Sequence, residues 1–353
     1  MDDLNQQKNK KWAWAVLPIG IIAVILTFAA MRELQSVLKP LAFAWVLMAI
    51  LSPLVRFLAK RLRVPETISI LIAMALSVLI IFQAGVLVNS LVSTFVSKYS
   101  EYATRLQELL QHFYEVLPDQ AVDMLKNFNW QSGLSKGVLS LSGTLISATS
   151  TTVMVLIITA FMLVEQRDYT LKVGNAFDSP ERVNNVIGSI TSQVSRYLIL
   201  HTLISLSTGI LVWLALHIIG IDFAATWGVL AFVLNYIPTI GSILASIPPL
   251  VIALVQYAPN SYIPFFEALA AILAIQMTIG NVIGPRIMGD QLNLSPVAVL
   301  VSLLFWGWLW GPAGALLATP ITAAIKIICD NIAPLEPIGI LLGSARQFRK
   351  VRQ

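Results

Sequence analysis

The residues best suited to contact a polar solute fall on one line of an otherwise apolar segment. At 3.6 residues per turn, six small or polar side chains lie within about 40° of one line along the helix: Glu267, Ala271, Ala274, Thr278, Asn281 and Pro285. This polar stripe could form the wall of a water-filled path, with Thr278 and Asn281 donating hydrogen bonds to the solute. Small and weakly polar residues are also common where membrane helices pack together, so helix packing is the alternative interpretation.

Glu267 is the titratable member of the polar stripe and a candidate carrier of a coupled cation or proton. It follows Pro264 by only three residues, near a membrane face, and simple contact with water is the alternative. Arg286, directly after Pro285, completes the candidates in this segment.

A second group of candidates consists of residues that interrupt helices. Asn235 is followed by Pro238 and Gly241, and Gly311 is followed by Pro312. Proline removes a helical hydrogen bond, and non-helical backbone at membrane depth is tolerated only inside protein or against a water-filled cavity. Paired interrupted segments are therefore typical of a transporter's binding site. For Asn235, a self-capped turn is the alternative.

The chain that positions these residues is too apolar for a soluble protein. Of its 353 residues, 57% are hydrophobic and 12% are charged, whereas soluble domains carry about 25% charged residues. This excludes a soluble enzyme, a disordered protein and an extracellular module. Because about 20 apolar residues cross a bilayer, the charge-free intervals predict an all-α polytopic membrane protein with about six spanning helices.

Two charge-free intervals are too long for one span each. Asp222 to Glu267 encloses 44 residues, and Asp290 to Lys326 encloses 35. We predict two re-entrant or broken helical hairpins, at about 222–257 and 295–328, whose tips enter from opposite faces. Two kinked full spans are the alternative. Arg286 distinguishes them, because hairpins place it in the cytoplasm and kinked spans place it outside.

The basic residues orient the chain in the membrane. One topology puts 16 of the 23 lysines and arginines on the same side, which the positive-inside rule identifies as the cytoplasm. Both termini are then cytoplasmic. The predicted organisation is three spans in 1–97, an external amphipathic helical segment in 98–140, spans four and five in 141–221 with a cytoplasmic helix at 166–196, the broken-helix transport region in 222–328, and a basic cytoplasmic tail in 329–353.

The sequence offers little for catalysis or metal binding. It has no H-E-x-x-H and no Walker A loop, and its single G-x-S-x-G match, Gly133–Gly137, lies in the predicted external helical segment rather than at a strand-to-helix turn. Cys329 is the single cysteine, and His201 and His217 lie sixteen residues apart on one span. We therefore expect no enzyme activity, no cofactor, no metal site and no nucleic-acid partner.

Three clusters of residues resemble a known family of bacterial membrane proteins. They are Asn235-Tyr236-Ile237-Pro238 with Ile240-Gly241, Gly280-Asn281 with Pro285-Arg286-Ile287-Met288-Gly289, and Phe305-Trp306-Gly307-Trp308 with Gly311-Pro312 and Gly314. These motifs resemble the autoinducer-2 exporter family. The resemblance implies an inner-membrane, homo-oligomeric secondary transporter, with substrates that range from autoinducer-2 to sodium–proton exchange. Many relatives carry Glu at the position of Gly284, and its absence weakens the antiport interpretation.

The leading functional prediction is a secondary transporter or exporter of a small polar solute, with autoinducer-2 as the candidate that the resemblance supplies. A sodium or cation/proton antiporter is the alternative, and a non-transporting membrane scaffold is the second alternative. If the polar stripe lines the path, Asn281→Leu abolishes flux, and Gln276→Leu, on the far side of an ideal α-helix, is mild.

Overall fold

The computed structural model describes residues 25–114, 150–166, 180–238, 240–288 and 292–344, with residues 18, 20, 22, 23, 168 and 172 as isolated positions. Over these residues the chain is helical apart from short turns and one isolated bridge between Leu294 and Gly343. The all-α prediction is confirmed. In chain order the helices are α1 (Gln35–Arg61), α2 (Glu66–Tyr114), α3 (Ser150–Gln166), α4 (Pro180–Ile219), α5 (Ala224–Leu234), α6 (Ile240–Tyr257), α7 (Ile263–Met288), α8 (Pro296–Trp310), α9 (Pro312–Asn331) and α10 (Glu336–Leu342).

Six helices in the described part of the chain are long and apolar enough to cross a membrane. Helices α1, α4, α7 and the first part of α2 correspond to predicted spans, whereas α6 and α9 are the second arms of the predicted hairpins. The first predicted span lies partly outside the described residues. The fourth is α3, which is one of the shorter apolar helices. The chain is a multi-pass membrane protein, as predicted.

Two helices run past the boundaries that the sequence suggested. Helix α2 continues for 49 residues into the predicted external segment, of which the part from residue 115 to 140 lies outside the described residues. Helix α4 begins at Pro180, as proline in the first turn predicts, and runs 40 residues to Ile219. The described part of the predicted 166–196 helix is therefore continuous with span five, because no later proline interrupts it.

Helix α4 is the central element, against which α1, α5, α7 and α9 all pack. Its closest approach is to α5, at Gly209 and Gly228. A Cβ atom on either glycine would lie 2.7 Å from the carbonyl oxygen of the other. The lack of side chains at this crossing lets the two backbones touch, which holds the first hairpin against α4.

Candidate functional site

The first hairpin reverses direction between α5 and α6. Helix α5 ends at Leu234, with Asn235 as its C-cap, and α6 begins at Ile240. A Cβ atom on Gly241 would lie 1.8 Å from the carbonyl oxygen of Leu234. A continuous helix would separate these residues by about 10 Å, so the contact requires a reversed chain. Pro238 lies in the turn, which we call the first tip.

The second hairpin reverses at Gly311. This residue ends α8 and precedes Pro312, the first residue of α9. Its φ of +68° lies in the left-handed region that favours glycine. A Cβ atom on Gly314 would lie 1.9 Å from the carbonyl oxygen of Trp306, which places the two arms in backbone contact. We call this turn the second tip.

Buried tryptophans tie the second hairpin to its neighbours. Trp306 and Trp310 lie in the core of the hairpin. The Trp306 indole N–H donates to Oγ1 of Thr322 at 3.3 Å, and that of Trp310 donates to the carbonyl oxygen of Met31 at 3.2 Å. The second tip is thus fixed from both arms and from the helical residues 25–33.

The two hairpins approach each other from opposite ends of α4. The base of the first hairpin lies at the carboxyl end of α4, where Gln256 Nε2 and Tyr257 Oη both donate to the carbonyl oxygen of Gly220 at 2.9 Å. The base of the second lies near Val194, with which Ala323 of α9 shares a core cluster. Ile237 of the first tip packs against the core of the second hairpin. The tips therefore meet.

The position of α7 decides against the kinked spans. Its last residue, Met288, packs in the cluster that contains Val194 and Leu198 of α4. Arg286 consequently lies at the same end of α4 as Arg196. Two hairpins give this arrangement and two kinked full spans do not, so the hairpin prediction is confirmed and the alternative is wrong.

Where the tips meet, α4 presents a row of polar side chains. Asn235 Nδ2 donates to Ser205 Oγ at 2.9 Å, and the hydroxyls of Tyr236 and Thr202 are 2.6 Å apart. One turn earlier, Tyr197 packs beside α9, because it shares a core cluster with Ala323 and lies near Thr319. The polar row of α4 therefore contacts both hairpins. We call it the hairpin junction, formed by Tyr197, His201, Thr202, Ser205, Asn235, Tyr236 and Thr319.

His201 occupies the middle of the hairpin junction. Its ring stacks on Tyr197 with centroids 5.3 Å apart and meets Tyr236 edge-on at 5.2 Å. Both ring nitrogens are fully buried and have no hydrogen-bond partner among the described residues. In the described ranges, no three His, Cys, Asp or Glu side chains lie close enough to hold a metal ion.

The polar stripe of α7 lies elsewhere. Its polar members face outward from the described chain: Glu267, Thr278, Asn281, Pro285 and the neighbouring Arg286 are all exposed. Asn281 donates through Nδ2 to Met277 Sδ at 3.2 Å. Residues Gln276–Ile283 form a π-helix, whose i→i+5 bonding alters the 3.6-residue register. Gln276 is then about one turn from Asn281, so it is unsuitable as a far-side control.

Helix α4 separates the two groups of candidates. Thr278 borders a groove of about 460 Å³ between α4 and α7, lined by Leu203 and Ser207 of α4. These two side chains lie about 160° from Ser205 around the helix, and Ser205 is the partner of Asn235. The structure therefore brings Asn235, Pro238 and Gly241 together with the second tip, and leaves the α7 candidates on another face.

His201, Tyr197 and Tyr236 were missed as site residues by the sequence analysis. The signal was present, because His201 is an ionisable residue inside the charge-free interval from Arg196 to Asp222, and such residues mark functional sites in membranes. Helical spacing places Tyr197 one turn before His201 on α4, but it cannot reveal Tyr236, which comes from the first hairpin.

The base of the first hairpin is linked to the extension of α2. Tyr102 Oη donates to Asp222 Oδ2 at 2.6 Å, and Lys98 Nζ lies 3.2 Å from the same oxygen. Burial, followed by the bond to Asp222, raises the pKa of Tyr102. Partial burial acts to raise the pKa of Asp222, but the hydrogen bonds from Tyr102 and Lys98 outweigh it and hold that pKa below its ordinary value.

Asp222→Asn should remove a pH-dependent contribution to stability. A carboxyl with a lowered pKa stabilises the fold above its unfolded-state pKa and loses this contribution as the pH falls through its folded-state pKa. We therefore expect the melting temperature of the wild type to exceed that of Asp222→Asn near neutral pH, and the difference to shrink below about pH 4. Fluorescence melting between neutral and acidic pH measures it.

Glu101→Gln is the matched control for that measurement. Glu101 pairs with Arg105 at 2.7 Å, but both side chains are about half exposed, and exposed pairs contribute about 0–1 kcal/mol. We expect a negligible change in melting temperature. An equal loss from both variants would show that Asp222 is an ordinary surface charge.

The chain is similar to bacterial transport proteins along nearly its whole length. The model of the AI-2E family transporters matches residues 19–333. The AI-2 transport protein TqsA of Escherichia coli (strain K12) is 35% identical over 331 residues, which cover 93% of this chain and 94% of that protein. A putative transport protein of Borreliella burgdorferi is 32% identical, covering 98% of this chain and 95% of its own. The putative transport protein YhhT of Escherichia coli (strain K12) is 33% identical, with 96% and 97% covered.

The match includes both hairpins, α4 and α7, and the relatives named above are transport proteins rather than enzymes. Opposed helical hairpins in a polytopic helical chain are the architecture expected of a secondary transporter. The chain belongs to the AI-2E transporter family and is a membrane transporter.

Proposed function

We propose that this protein transports a small polar solute across the bacterial inner membrane through the hairpin junction, and that autoinducer-2 is the first solute to test. The name of the relative TqsA supports the choice of solute. The observation that carries the proposal is the meeting of two helix-interrupted tips at a polar row of α4.

Interrupted helices supply the chemistry that a polar solute needs. At each tip the backbone leaves N–H and C=O groups without helical partners, and such groups are costly in hydrocarbon unless protein, water or solute satisfies them. A solute that moves past Asn235, Pro238 and Gly241 on one side and Gly311 and Pro312 on the other could exchange its water for these groups. Movement of the tips relative to α4 then exposes the junction to each side in turn.

Solute flux in proteoliposomes tests the function directly. Purified protein is reconstituted, autoinducer-2 is loaded inside, and efflux is followed with and without a pH or sodium gradient. We expect efflux well above that of protein-free liposomes. Efflux equal to the protein-free rate under every gradient contradicts autoinducer-2 transport. Sodium or proton movement without autoinducer-2 would favour the antiporter alternative.

We further propose that both termini are cytoplasmic and that the 98–140 segment is external, on the basis of the distribution of basic residues. Ser100 is exposed on the extension of α2. In a Cys329→Ser background, Ser100→Cys should react with an impermeant maleimide on intact spheroplasts. Lys60→Cys, exposed at the end of α1, should react only after permeabilisation. The reverse pattern would invert the topology.

A homo-oligomer is also proposed, because much apolar surface faces outward from the single chain. Exposed apolar side chains are found along α2, α4, α7 and α8, and lipid covers such surface as readily as another subunit does. The family resemblance favours contact of this surface with another subunit over contact with lipid alone. Light scattering of the detergent-solubilised protein should give more than one chain per particle, and a monomer at all concentrations would contradict it.

A further inference from the structure

The hairpin junction encloses an ionisable side chain that the proposed path does not by itself require. His201 has two ring nitrogens, each fully buried and without a hydrogen-bond partner among the described residues. It lies five residues beyond Arg196, about 7.5 Å along α4 and inside the charge-free interval. We propose that His201 is the proton-binding site of the hairpin junction, neutral when the tips are closed on α4 and protonated when they separate.

The surroundings of the ring favour the neutral form in the closed arrangement. From α4 itself, Tyr197 stacks on the ring, and from the first tip Tyr236 meets it edge-on. The backbone carbonyl of Asn235 also lies beside the ring, although neither ring nitrogen makes a well-formed hydrogen bond to it. The second hairpin contributes Thr319, which is not titratable. The charged residues of the packed elements are engaged elsewhere, since Arg196 is exposed and Lys326 pairs with Asp330. No carboxylate in the described residues faces the ring.

An imidazolium in this position would have two N–H donors, with the neutral carbonyl of Asn235 near one of them and no anion near either. Cation–π contacts with the tyrosine rings recover only part of the free energy that is lost when an ion without a counter-charge is buried. The cost therefore exceeds the gain. Proton binding must favour an arrangement in which water reaches the ring, and closure must release the proton.

The contacts that close the junction identify what has to move. Asn235 bonds to Ser205 at 2.9 Å and Tyr236 to Thr202 at 2.6 Å, both within the helical turn that follows His201. Both contacts link the first tip to α4, and both would separate if the tip moved. Proton occupancy at His201 and closure of the first tip are thus linked equilibria.

Direct observation of the ring tests this without any solute. The chain has three histidines, so His112→Gln and His217→Gln leave His201 as the one histidine signal in ¹⁵N-histidine NMR of protein in nanodiscs. In a Cys329→Ser background, Ser205→Cys and Asn235→Cys allow the first tip to be crosslinked to α4. The same sample, reduced and crosslinked, is its own control.

We expect crosslinking to lower the pH at which His201 is half protonated by at least about one pH unit, a tenfold change in proton affinity, and reduction to restore it. Equal titration of the crosslinked and reduced forms would overturn the proposal. So would an imidazolium signal at neutral pH in the crosslinked form.

A second experiment measures flux and therefore rests on the proposed transport function. Autoinducer-2 flux of the wild type and of His217→Gln, an exposed site on the same helix, should vary with pH across the range in which imidazole titrates. His201→Gln, which keeps hydrogen-bonding groups but cannot bind a proton near neutral pH, should make flux independent of pH over that range. If His201→Gln keeps the wild-type pH profile, the ring is a packing residue. If the wild type moves no autoinducer-2 at any pH, the transport proposal fails, and the NMR experiment still decides the proton site.

Discussion

Gly314→Ala should prevent the second hairpin from closing and leave little folded protein. A Cβ atom on Gly314 would lie 1.9 Å from the carbonyl oxygen of Trp306 and 2.9 Å from Cβ of Trp310. The first of these is a backbone atom, so a change of side-chain rotamer cannot relieve the overlap. Overpacking costs about 1–3 kcal/mol when side chains can adjust and more when backbone must move. Yield and monodispersity after detergent extraction, with the melting temperature, measure the effect.

Gly307→Ala is the matched control, in the opposite arm of the same hairpin. The atom nearest to a Cβ on Gly307 is Cβ of Ala315, at 3.8 Å, which is ordinary van der Waals contact. Because alanine is favoured over glycine inside a helix by about 1 kcal/mol, we expect unchanged or slightly higher stability. A normal yield and melting temperature for Gly314→Ala would show that the arms do not touch as described.

Asn235→Leu should reduce flux by at least about tenfold, the equivalent of roughly 1.4 kcal/mol, while the protein still folds. The change removes the amide that donates to Ser205 Oγ at 2.9 Å, and Ser205 is fully buried. An unpaired buried hydroxyl costs about 1–3 kcal/mol. This destabilises the closed first tip and deprives a solute of the one amide at the junction. Flux per folded transporter, normalised to the size-exclusion peak, is the measurement.

Asn281→Leu decides whether the α7 polar stripe belongs to the same path. Asn281 is exposed, with Met277 as its hydrogen-bond acceptor. If only Asn235→Leu impairs flux, the solute passes the hairpin junction and not the outer face of α7. Equal loss from both variants would extend the path to Thr278, Asn281 and, near the membrane face, Glu267. Normal flux in Asn235→Leu would exclude the junction.

Local chemistry in the sequence was sufficient for the fold class and for the position of each turn. The length of each charge-free interval shows whether enough apolar residues are present to cross a bilayer. Proline and glycine disfavour continuous helix, and Pro238 and Gly311 mark the two turns. The helix start at Pro180 follows from the same local rules. These features depend on backbone geometry within a few residues, so no tertiary contact is needed to predict them.

Only the tertiary structure decided which polar residues share a site. The polar stripe of α7 was projected on an ideal α-helix, but Gln276–Ile283 is π-helical, and which face of a membrane helix is buried depends on neighbours that periodicity does not name. His201 contacts Tyr236, which lies 35 residues away in the chain, and its neighbour Tyr197 lies near Thr319 of the second hairpin. Composition and spacing indicated where the helices are interrupted, and only the structure showed that the chain reverses there. Packing against α4 brings the first and second tips together, and Tyr236 of the first tip then lies against His201.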